Sequence, residues 1–462
     1  MVNFTTADNA LKTLYLGVLA EQLNIGINPL LAKIQHTTAD VWGKEIVKLA
    51  PYGMNGGVGS GTEDGILPAC AGNNYAQFKL ELKNFFGKIE ISDKAVRASQ
   101  NSAGAFVNLL NAEMDGLLKA SKFNFGRMLY GDGTGLLATT VENVSVALNE
   151  ITVDSVRNLM EGMIVDLYDS TGVAIEKLTG AKIIAINRAT KVVSFSKSAL
   201  SALAGGYVIY MQGSKNNEMT GLEALFGNTA SLYGLTRANY SFLTPYSKTI
   251  NSGVYGSVIQ DAIDQIEEIA GGAVDFIVSS YDVRRAYIEN LNANRTNLDY
   301  MNLDGGFKAI SYSGIPFVAD RFVADKTMYL LNSSDFKFHQ LCDWRWLEGE
   351  SGTVLHQVAD KPVYTATLVK YADLLCERPM GQAKLTFSDL SPAPTYVVSF
   401  DSNGGTQIAS QIVEAGGAPT KPVNPVKDGL TFVNWYYNGE SYNFMYGQVN
   451  SDITLTAVWS EM

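Results

Sequence analysis

Glycine-rich stretches are the parts of this sequence whose composition could suit phosphate binding. The first, GGVGSG over 56–61, lacks the glycine spacing of a dinucleotide-binding loop, and a strand-like pattern follows it instead of a helix. The second, GDGTG over 131–135, lacks the Lys-Ser/Thr pair of a P-loop and follows a predicted helix, so no helix N-terminus faces it. The third, SNGGT over 402–406, is typical of a hairpin turn. The sequence therefore predicts no cofactor site.

Side chains that could transfer protons or bind a metal are few and widely spaced. The chain has three histidines, His36, His339 and His356, and its three cysteines form no C-x-x-C pair. Acidic residues cluster on one face of a predicted helix over 256–271, where we expect a solvated surface. Trp344 and Trp346 share one face of a predicted strand, which indicates core or subunit-contact packing, with a ligand platform as the alternative. We therefore predict no catalytic and no metal-binding residues, and a protein that is not an enzyme.

The overall composition favours a subunit of an assembly. Charged residues make up only 18% of the 462 residues, fewer than the surface of a free monomer usually carries. The net charge of −11 disfavours tight nucleic-acid binding, which needs a basic face. The N-terminal residues lack the pattern of a signal peptide, and no apolar run is long enough to span a membrane. We expect a protein of cytosolic origin with no membrane partner.

Residues 45–99 have the pattern of an extended, two-stranded arm. KEIVKL and FKLELKNFFGKIEIS are strand-like, and PYGMNGGVGSGTEDGILP between them is rich in glycine without a helical period. An arm of this kind is marginally stable alone in water, so a neighbouring subunit is its natural support. The residues expected at its tip are Gly56, Gly57, Gly59 and Gly61.

The strongest helix pattern follows the arm. Apolar residues recur every three or four positions from 100 to 130, which predicts a helix roughly 45 Å long. Short β-branched runs then predict an inserted β-domain of five or six strands over 138–222, and alternating helices and strands over 223–390 predict a mixed α+β body. The residues expected to pack the long helix are Phe106, Leu110, Met114, Leu117 and Phe125.

The order of these elements resembles that of tailed-phage major capsid proteins with the Hong Kong 97-type fold. The resemblance covers about residues 1–390 and includes FGRMLYGDGTG, GIPFVADRFVADKTMYLLNSSDFKF and YTATLVKYADLLCERP. It implies an α+β fold. The implied parts are an N-terminal arm (1–44), a hairpin arm (45–99), a spine helix of the peripheral domain (100–137), and an axial domain with return strands of the peripheral domain (223–390). The inserted β-domain (138–222) departs from the minimal fold of the family.

The capsid resemblance implies a coat protein that self-assembles into the hexamers and pentamers of an icosahedral shell. The shell would enclose double-stranded DNA without sequence-specific binding, and the hairpin arm would lie over the adjacent subunit. The segment before the arm is too short for a large cleaved scaffolding region, so we expect a separate scaffolding protein, together with a portal. The implied location is the virion, after assembly in the cytoplasm of a bacterial host.

Two other functions remain as alternatives. An encapsulin-type nanocompartment shell shares the fold, but the long arm and the tail suit a virion better, and no cargo-docking groove is visible in the sequence. A bacterial surface adhesin would account for the tail alone, but the sequence shows no signal peptide, no cell-wall anchor and no further repeat copies.

The C-terminal segment resembles the internalin B-repeat, also called the Listeria–Bacteroides repeat. A Pro/Ser linker over 391–396 precedes it, and its matching stretches are VSFDSNGG, PVNPVKDGLTFVNWY, YNF and DITLTAVW. The resemblance implies a small β-grasp-like module over 397–462, displayed outside the shell. Contact with cell-surface or glycan material is one hypothesis for it, and an inert or stabilising knob is the other. Its expected core is Phe400, Phe432, Trp435, Phe444, Leu455 and Trp459.

Overall fold

The structure, a computed structural model, describes the greater part of the chain. The described residues are 12, 16, 22–23, 28–66, 69, 72–94, 103–141, 149–197, 206–251, 253–293, 300–303, 308–349, 352–390, 395–414, 417–445 and 447–461, with side chains excluded at 103–111, 293 and 414. Most of the expected N-terminal arm and the side chains of Phe106 and Leu110 lie outside this set. No helix among the described residues has both the length and the apolar character that crossing a membrane requires.

The helices of the described chain have the following bounds: α1 (Pro29–Lys33), α2 (Ala103–Leu129), α3 (Leu222–Phe226), α4 (Gly256–Ala270) and α5 (Tyr281–Ala293). The long helix α2 ends at Leu129, one residue before the end of the predicted helix pattern, and the glycine-rich turn after it leads into a strand. Gly133 and Gly135 have φ angles of 86° and 83°, which glycine adopts without a steric penalty.

The segment predicted as the arm contributes to two sheets: β3 and β4 form a hairpin, and β5 belongs to a separate five-stranded sheet. The arm sheet has the order β2-β3-β4, with β2 (Val41–Trp42), β3 (Glu45–Tyr52) and β4 (Asn74–Glu81). The body sheet has the order β1-β20-β22-β21, with β5 also paired to β22; its strands are β1 (Gln35–Thr37), β5 (Lys83–Ser92), β20 (Phe336–Trp346), β21 (His356–Gln357) and β22 (Val363–Cys376). The prediction of one two-stranded arm over 45–99 was therefore wrong for its last strand.

Strand β5 belongs to the body because it supports helix α2. Its inward-facing side chains Phe85, Ile89 and Ile91 are buried, and it pairs with β22 from Lys83 to Ser92. A Cβ atom on Gly87 would lie 2.8 Å from Leu117 Cδ1, so this glycine allows α2 to pack closely on the strand.

The inserted β-domain is a six-stranded sheet with the order β6-β11-β8-β9-β10-β7. Its strands are β6 (Leu136–Thr139), β7 (Glu150–Thr152), β8 (Ile164–Tyr168), β9 (Ala181–Asn187), β10 (Val192–Phe195) and β11 (Val208–Met211). An antiparallel bridge between Thr140 and Val153 joins the two edge strands, so the sheet closes on itself as a barrel around its own apolar core. We refer to residues 136–211 as the barrel.

The axial sheet has seven strands in the order β14-β23-β19-β15-β18-β17-β16. Its strands are β14 (Tyr246–Ile250), β15 (Phe276–Ser279), β16 (Tyr300–Asn302), β17 (Lys308–Tyr312), β18 (Ile315–Ala319), β19 (Thr327–Leu331) and β23 (Ala383–Phe387). Helix α4 packs its apolar side against this sheet, and the acidic face predicted for it is exposed. A short hairpin, β12 (Ser231–Leu232) and β13 (Leu235–Thr236), precedes the sheet.

The C-terminal residues 395–461, which we call the tail domain, form a five-stranded sheet with the order β25-β24-β28-β26-β27. Its strands are β24 (Thr395–Asp401), β25 (Gln411–Glu414), β26 (Leu430–Tyr437), β27 (Glu440–Ser441) and β28 (Ile453–Glu461). The tail domain and the barrel each have an apolar core distinct from the two cores of the body.

Candidate assembly site

The arm hairpin, formed by β3, β4 and the connection between them, has one face against the body. Ile46 lies opposite Leu80 and Ala50 opposite Ala76, and all four side chains are buried. The opposite face is exposed and carries large apolar side chains, with Leu49 61% exposed and Tyr75 56% exposed. The alternation therefore leaves these apolar side chains without cover from the described residues.

Aromatic side chains attach the inner face of the arm hairpin to the body, from the middle of β4 to the end of β3. The Phe78 ring lies 5.4 Å from the Tyr233 ring, and the Tyr52 ring stacks on Phe242 at 5.2 Å. Lys79 N also donates to the carbonyl oxygen of Tyr233 at 2.9 Å. Burial raises the pKa of Tyr233 well above its usual value, so its hydroxyl remains neutral where it accepts a hydrogen bond from Cys376 N at 3.1 Å.

A charged cluster fixes the inner face of the arm hairpin. The Lys48 ammonium bonds to Glu377 and lies 3.4 Å from Asp40, and Lys337 lies 2.8 Å from Glu377. Partial burial works against the charged forms, but the two ammonium groups outweigh it and lower the pKa of Glu377. The hydrogen bond from Lys48 to Glu377 likewise outweighs burial and raises the pKa of Lys48. The inner face of the arm hairpin is thus held to the body by both apolar and ionic contacts.

The far end of the arm hairpin, residues 53–66, which we call the tip loop, is exposed throughout. It contains the four predicted tip glycines, Gly56, Gly57, Gly59 and Gly61, in a stretch without helix or strand. Its apolar side chains are highly exposed: Met54 is 86% exposed, Val58 84% and Ile66 99%. Sequence reasoning selected the glycines and missed these side chains, because no local pattern shows that an apolar residue remains uncovered.

The described part of the spine-helix stripe packs on the body sheet. Met114 and Phe125 are buried, and Leu117 is partly buried against the same core. The Phe125 ring lies 4.8 Å from Phe85 and 4.9 Å from Trp344. Trp344 and Trp346 are 5% and 2% exposed, so the structure supports core packing for these two indoles and not a ligand platform.

A buried ion pair that sequence reasoning missed fixes the end of helix α2. Arg127 donates from both terminal nitrogens to the two carboxylate oxygens of Glu218, each at 2.7 Å. Both side chains are 4% exposed. The pair joins the last turn of α2 to the segment that leaves the barrel.

The histidines are dispersed in the body. Burial, followed by the charge of Lys370, lowers the pKa of His36 to about 4. Burial also lowers the pKa of His339, whose ring nitrogen Nδ1 is 2.9 Å from the carbonyl oxygen of Ala39. His356 lies near the surface, with Nε2 3.3 Å from the carbonyl oxygen of Leu347. In the described chain, His, Cys, Asp and Glu side chains form no group of three or more that could hold a metal ion.

A cavity of about 730 Å³ lies between the glycine-rich turn after α2, helix α3 and the barrel. Its charged lining groups have partners inside the chain. Arg157 pairs with Asp325 at 2.7 Å, and Glu223 with Lys384 at 2.6 Å and with the Tyr329 hydroxyl. The Arg157–Asp325 pair therefore connects the barrel to the turn before β19 at the edge of this cavity.

The predicted tail-domain core is brought together around Trp435, which is fully buried. Its ring lies 5.0 Å from Phe400 and 5.6 Å from Phe432, and Phe432 lies 5.7 Å from Trp459. Phe444 contacts the same cluster from its edge, and Leu455 is buried within it. A Cβ atom on Gly405 would lie 2.6 Å from Trp459 Cζ2, which explains the second glycine of the SNGGT turn.

Residues 396–458 match the family model of the Listeria-Bacteroides repeat domain. The tail domain is such a repeat. Two proteins of Evansella cellulosilytica, one named a Gly-rich membrane protein and the other a membrane protein, are 42% and 40% identical to this chain over 67 residues. Those residues are 14% of this chain and only 8% and 10% of the two relatives. The resemblance inferred from the sequence for this segment is confirmed.

Solved structures similar to this chain include phage capsids and an encapsulin. A cyanophage A-1(L) capsid chain matches with a TM-score of 0.48 and 13% identity, over 78% of this chain and 92% of its own. A capsid chain of Myoviridae phage XM1 matches with a TM-score of 0.41 and 10% identity, over 77% and 90%. The SrpI encapsulin of Synechococcus elongatus matches with a TM-score of 0.40 and 10% identity, over 80% and 91%. The helices and strands of the described residues confirm the α+β fold class.

Proposed function

We propose that this chain is the major capsid protein of a tailed double-stranded DNA phage. Copies of the body form the hexamers and pentamers of an icosahedral shell, and the tail domain is displayed on the outside. The observation that carries this proposal is the arm hairpin, whose inner face is fixed to the body while its outer face and tip loop expose large apolar side chains.

The exposed side chains of the arm hairpin suit contact with a second copy. Fully burying a Val, Leu, Ile or Met side chain contributes about 1.5–3 kcal/mol, so covering Leu49, Met54, Val58 and Ile66 would stabilise an interface substantially. Several large apolar side chains exposed on one extended element suit an interaction site. In a ring of subunits, the arm of each copy would cover its neighbour. The interface would be heterologous, because each copy would contribute its arm on one side and a different surface on the other.

The remaining partners follow from the same proposal. A net charge of −11 suits a shell that encloses DNA without gripping it. A separate scaffolding protein would guide shell curvature, and a portal would replace one pentamer. The virion is the resulting location, after assembly in the cytoplasm of the bacterial host.

The tail domain is suited to display because it folds around its own core after a proline-containing linker. Contact with cell-surface or glycan material is the role we propose for it. Removing residues 396–462 should leave shells intact and reduce adsorption of particles to host cells. Truncated particles that adsorb and resist heat as well as complete ones would contradict a binding role.

Sedimentation velocity and electron microscopy of the purified chain over a range of concentrations test assembly. We expect oligomers of five and six copies, and closed shells at high concentration. The triple variant Met54→Ser, Val58→Ser and Ile66→Ser should shift the chain towards monomer while its circular dichroism is unchanged.

Val423→Ser is the matched control, because this tail-domain side chain is also 84% exposed. It should assemble as the unmodified chain does. A chain that stays monomeric at every concentration, or a triple variant that assembles normally, would contradict the proposal. Fibres or single globules bound to cell walls would favour the adhesin alternative.

A further inference from the structure

Three Asn-Gly pairs occur in the sequence, and the structure places them in two different settings. Asn55–Gly56 lies in the tip loop, whereas Asn403–Gly404 and Asn438–Gly439 lie in the tail domain. At such a pair the backbone nitrogen of glycine can attack the asparagine side chain, because glycine has no Cβ to obstruct the approach. Whether the attack occurs depends on whether the backbone can bring the two atoms together.

The tip loop holds Asn55 in a suitable conformation. Gly57 N donates to Asn55 Oδ1 at 2.8 Å, and this bond requires the carboxamide to fold back over the peptide of Gly56. Asn55 Cγ therefore lies on the same side as Gly56 N. Residues 55–57 belong to no helix or strand and are exposed, so water and small backbone movements are available to the reaction.

The two tail-domain pairs are held in a different conformation. Asn403 and Gly404 have φ angles of 47° and 82°, and Asn438 and Gly439 have φ angles of 48° and 86°. Gly405 N donates to Ser402 O at 3.0 Å across the first turn, and Tyr437 pairs with Glu440 across the second. Left-handed angles at both central positions define a tight turn at each pair. Attack by the glycine nitrogen would require each asparagine to leave its turn, and at Asn438 it would also disturb the pairing of Tyr437 with Glu440.

We propose that Asn55 is a site of spontaneous deamidation in the arm hairpin. Gly56 N bonds to Asn55 Cγ and gives up its proton, the bond from Cγ to the side-chain nitrogen breaks, and ammonia leaves. Water then opens the cyclic imide at one of its two carbonyl carbons and yields aspartate or isoaspartate. The product adds one negative charge, and isoaspartate also adds a methylene to the backbone.

The consequence for assembly rests on the proposed function. Asn55 Nδ2 donates to Asn73 Oδ1 at 3.0 Å and so joins the two sides of the connection between β3 and β4. A carboxylate at position 55 cannot donate this hydrogen bond, and it places a new charge among the apolar side chains of the tip loop. Subunits that remain unassembled would therefore lose their ability to form shells over time.

Peptide mapping by mass spectrometry of the full-length, unassembled chain during incubation at neutral pH tests the chemistry. We expect the Asn55 peptide to gain the mass of the amide-to-acid exchange at least about tenfold faster than the peptides of Asn403 and Asn438, a difference of about 1.4 kcal/mol in barrier. In denaturant the three sites should react at similar rates. Equal rates in the folded chain, or an unreactive Asn55, would overturn the proposal.

Two further measurements separate this inference from the proposed function. Asn55→Gln should keep the folded chain free of this modification, because glutamine would have to form a larger ring, and should preserve assembly after long incubation. Reaction of Asn55 should slow when shells form, because the tip loop is then covered. If Asn55 reacts equally fast in shells, the deamidation site stands and the arm contact is wrong.

Discussion

Replacing Arg127 with methionine tests whether the buried ion pair with Glu218 fixes the end of helix α2. The two groups form a fork with both hydrogen bonds at 2.7 Å, and both side chains are 4% exposed. They lie 91 residues apart in the sequence, with the barrel between them. The pair therefore couples the helix to the point where the chain returns to the body.

Arg127→Met should lower the free energy of unfolding of the body by about 3–5 kcal/mol, because it leaves the Glu218 carboxylate buried without its partner. The loss of a cation from the last turn of α2 adds about 0.3–1 kcal/mol, since the helix dipole favours positive charge there. The total is a large part of the stability of a typical domain, about 5–15 kcal/mol. Arg127→Met/Glu218→Met removes both charges and should cost less than the two single changes together.

Urea unfolding followed by hydrogen exchange and mass spectrometry is a suitable assay, because it resolves the body from the barrel and the tail domain. Arg188→Met is the matched control. Arg188 binds Glu161 with the same fork geometry, at 2.8 and 2.9 Å, but the side chains are 61% and 39% exposed. We expect the control to cost at most about 1 kcal/mol. A cost below about 1 kcal/mol for Arg127→Met, or additive losses in the double variant, would refute the reasoning.

Three further predictions concern stability. Gly221→Ala should destabilise the body by about 1–3 kcal/mol, because its Cβ would lie 2.6 Å from the carbonyl oxygens of Leu129 and Gly131. Gly116→Ala, which has open space around it on helix α2, should instead stabilise the body by about 1 kcal/mol. The urea concentration at the midpoint of unfolding checks both changes. Burial raises the pKa of Asp320 to about 6, above its ordinary value near 4. The protonated carboxyl group therefore makes its full contribution to the free energy of unfolding below about pH 4, and this contribution is lost as the pH rises through about 6. Asp320→Asn should therefore gain about 3 kcal/mol relative to the unmodified chain between pH 4 and pH 7, and a constant difference across this range would contradict the assignment. Residues 395–461 expressed alone should give a dispersed amide NMR spectrum, because the tail domain has its own core, and a collapsed spectrum would show that it needs the body.

Local patterns predicted the elements of this fold better than their partners. The strand-like stretches KEIVKL and FKLELKNFFGKIEIS were predicted as one two-stranded arm, and the structure divides the second stretch between β4 of the arm hairpin and β5 of the body sheet. The partner of β5, β22, lies about 280 positions further along the chain, and no local period encodes such a pairing. Closure of the barrel depends in the same way on Thr140 and Val153, which carry no distinctive local signal.

The candidate site was predictable in outline and not in its contacts. Glycine content located the tip loop, and the 3.6-residue period identified Met114, Leu117 and Phe125 on the packed side of the spine helix. The Arg127–Glu218 pair was not predicted because a charged residue near the end of an apolar stripe is usually solvated. The exposure of Met54, Val58 and Ile66 is a property of the folded chain, since sequence alone does not show which apolar residues lack a partner.

The way the barrel is inserted explains how the body tolerates it. Its first and last strands, β6 and β11, are antiparallel neighbours, and Asn216 N donates to Thr134 O at 2.8 Å just outside them. The chain therefore enters and leaves the barrel at almost the same point. The two ends of this insertion of more than 70 residues are as close together as those of a short loop, so the body needs no other change to accommodate it. Arg127–Glu218 and the close approach of Gly221 to the end of α2 lie at this connection, on the body side. The same contacts that end helix α2 therefore also fix the exit from the barrel, so that the barrel is joined to the body through one compact connection.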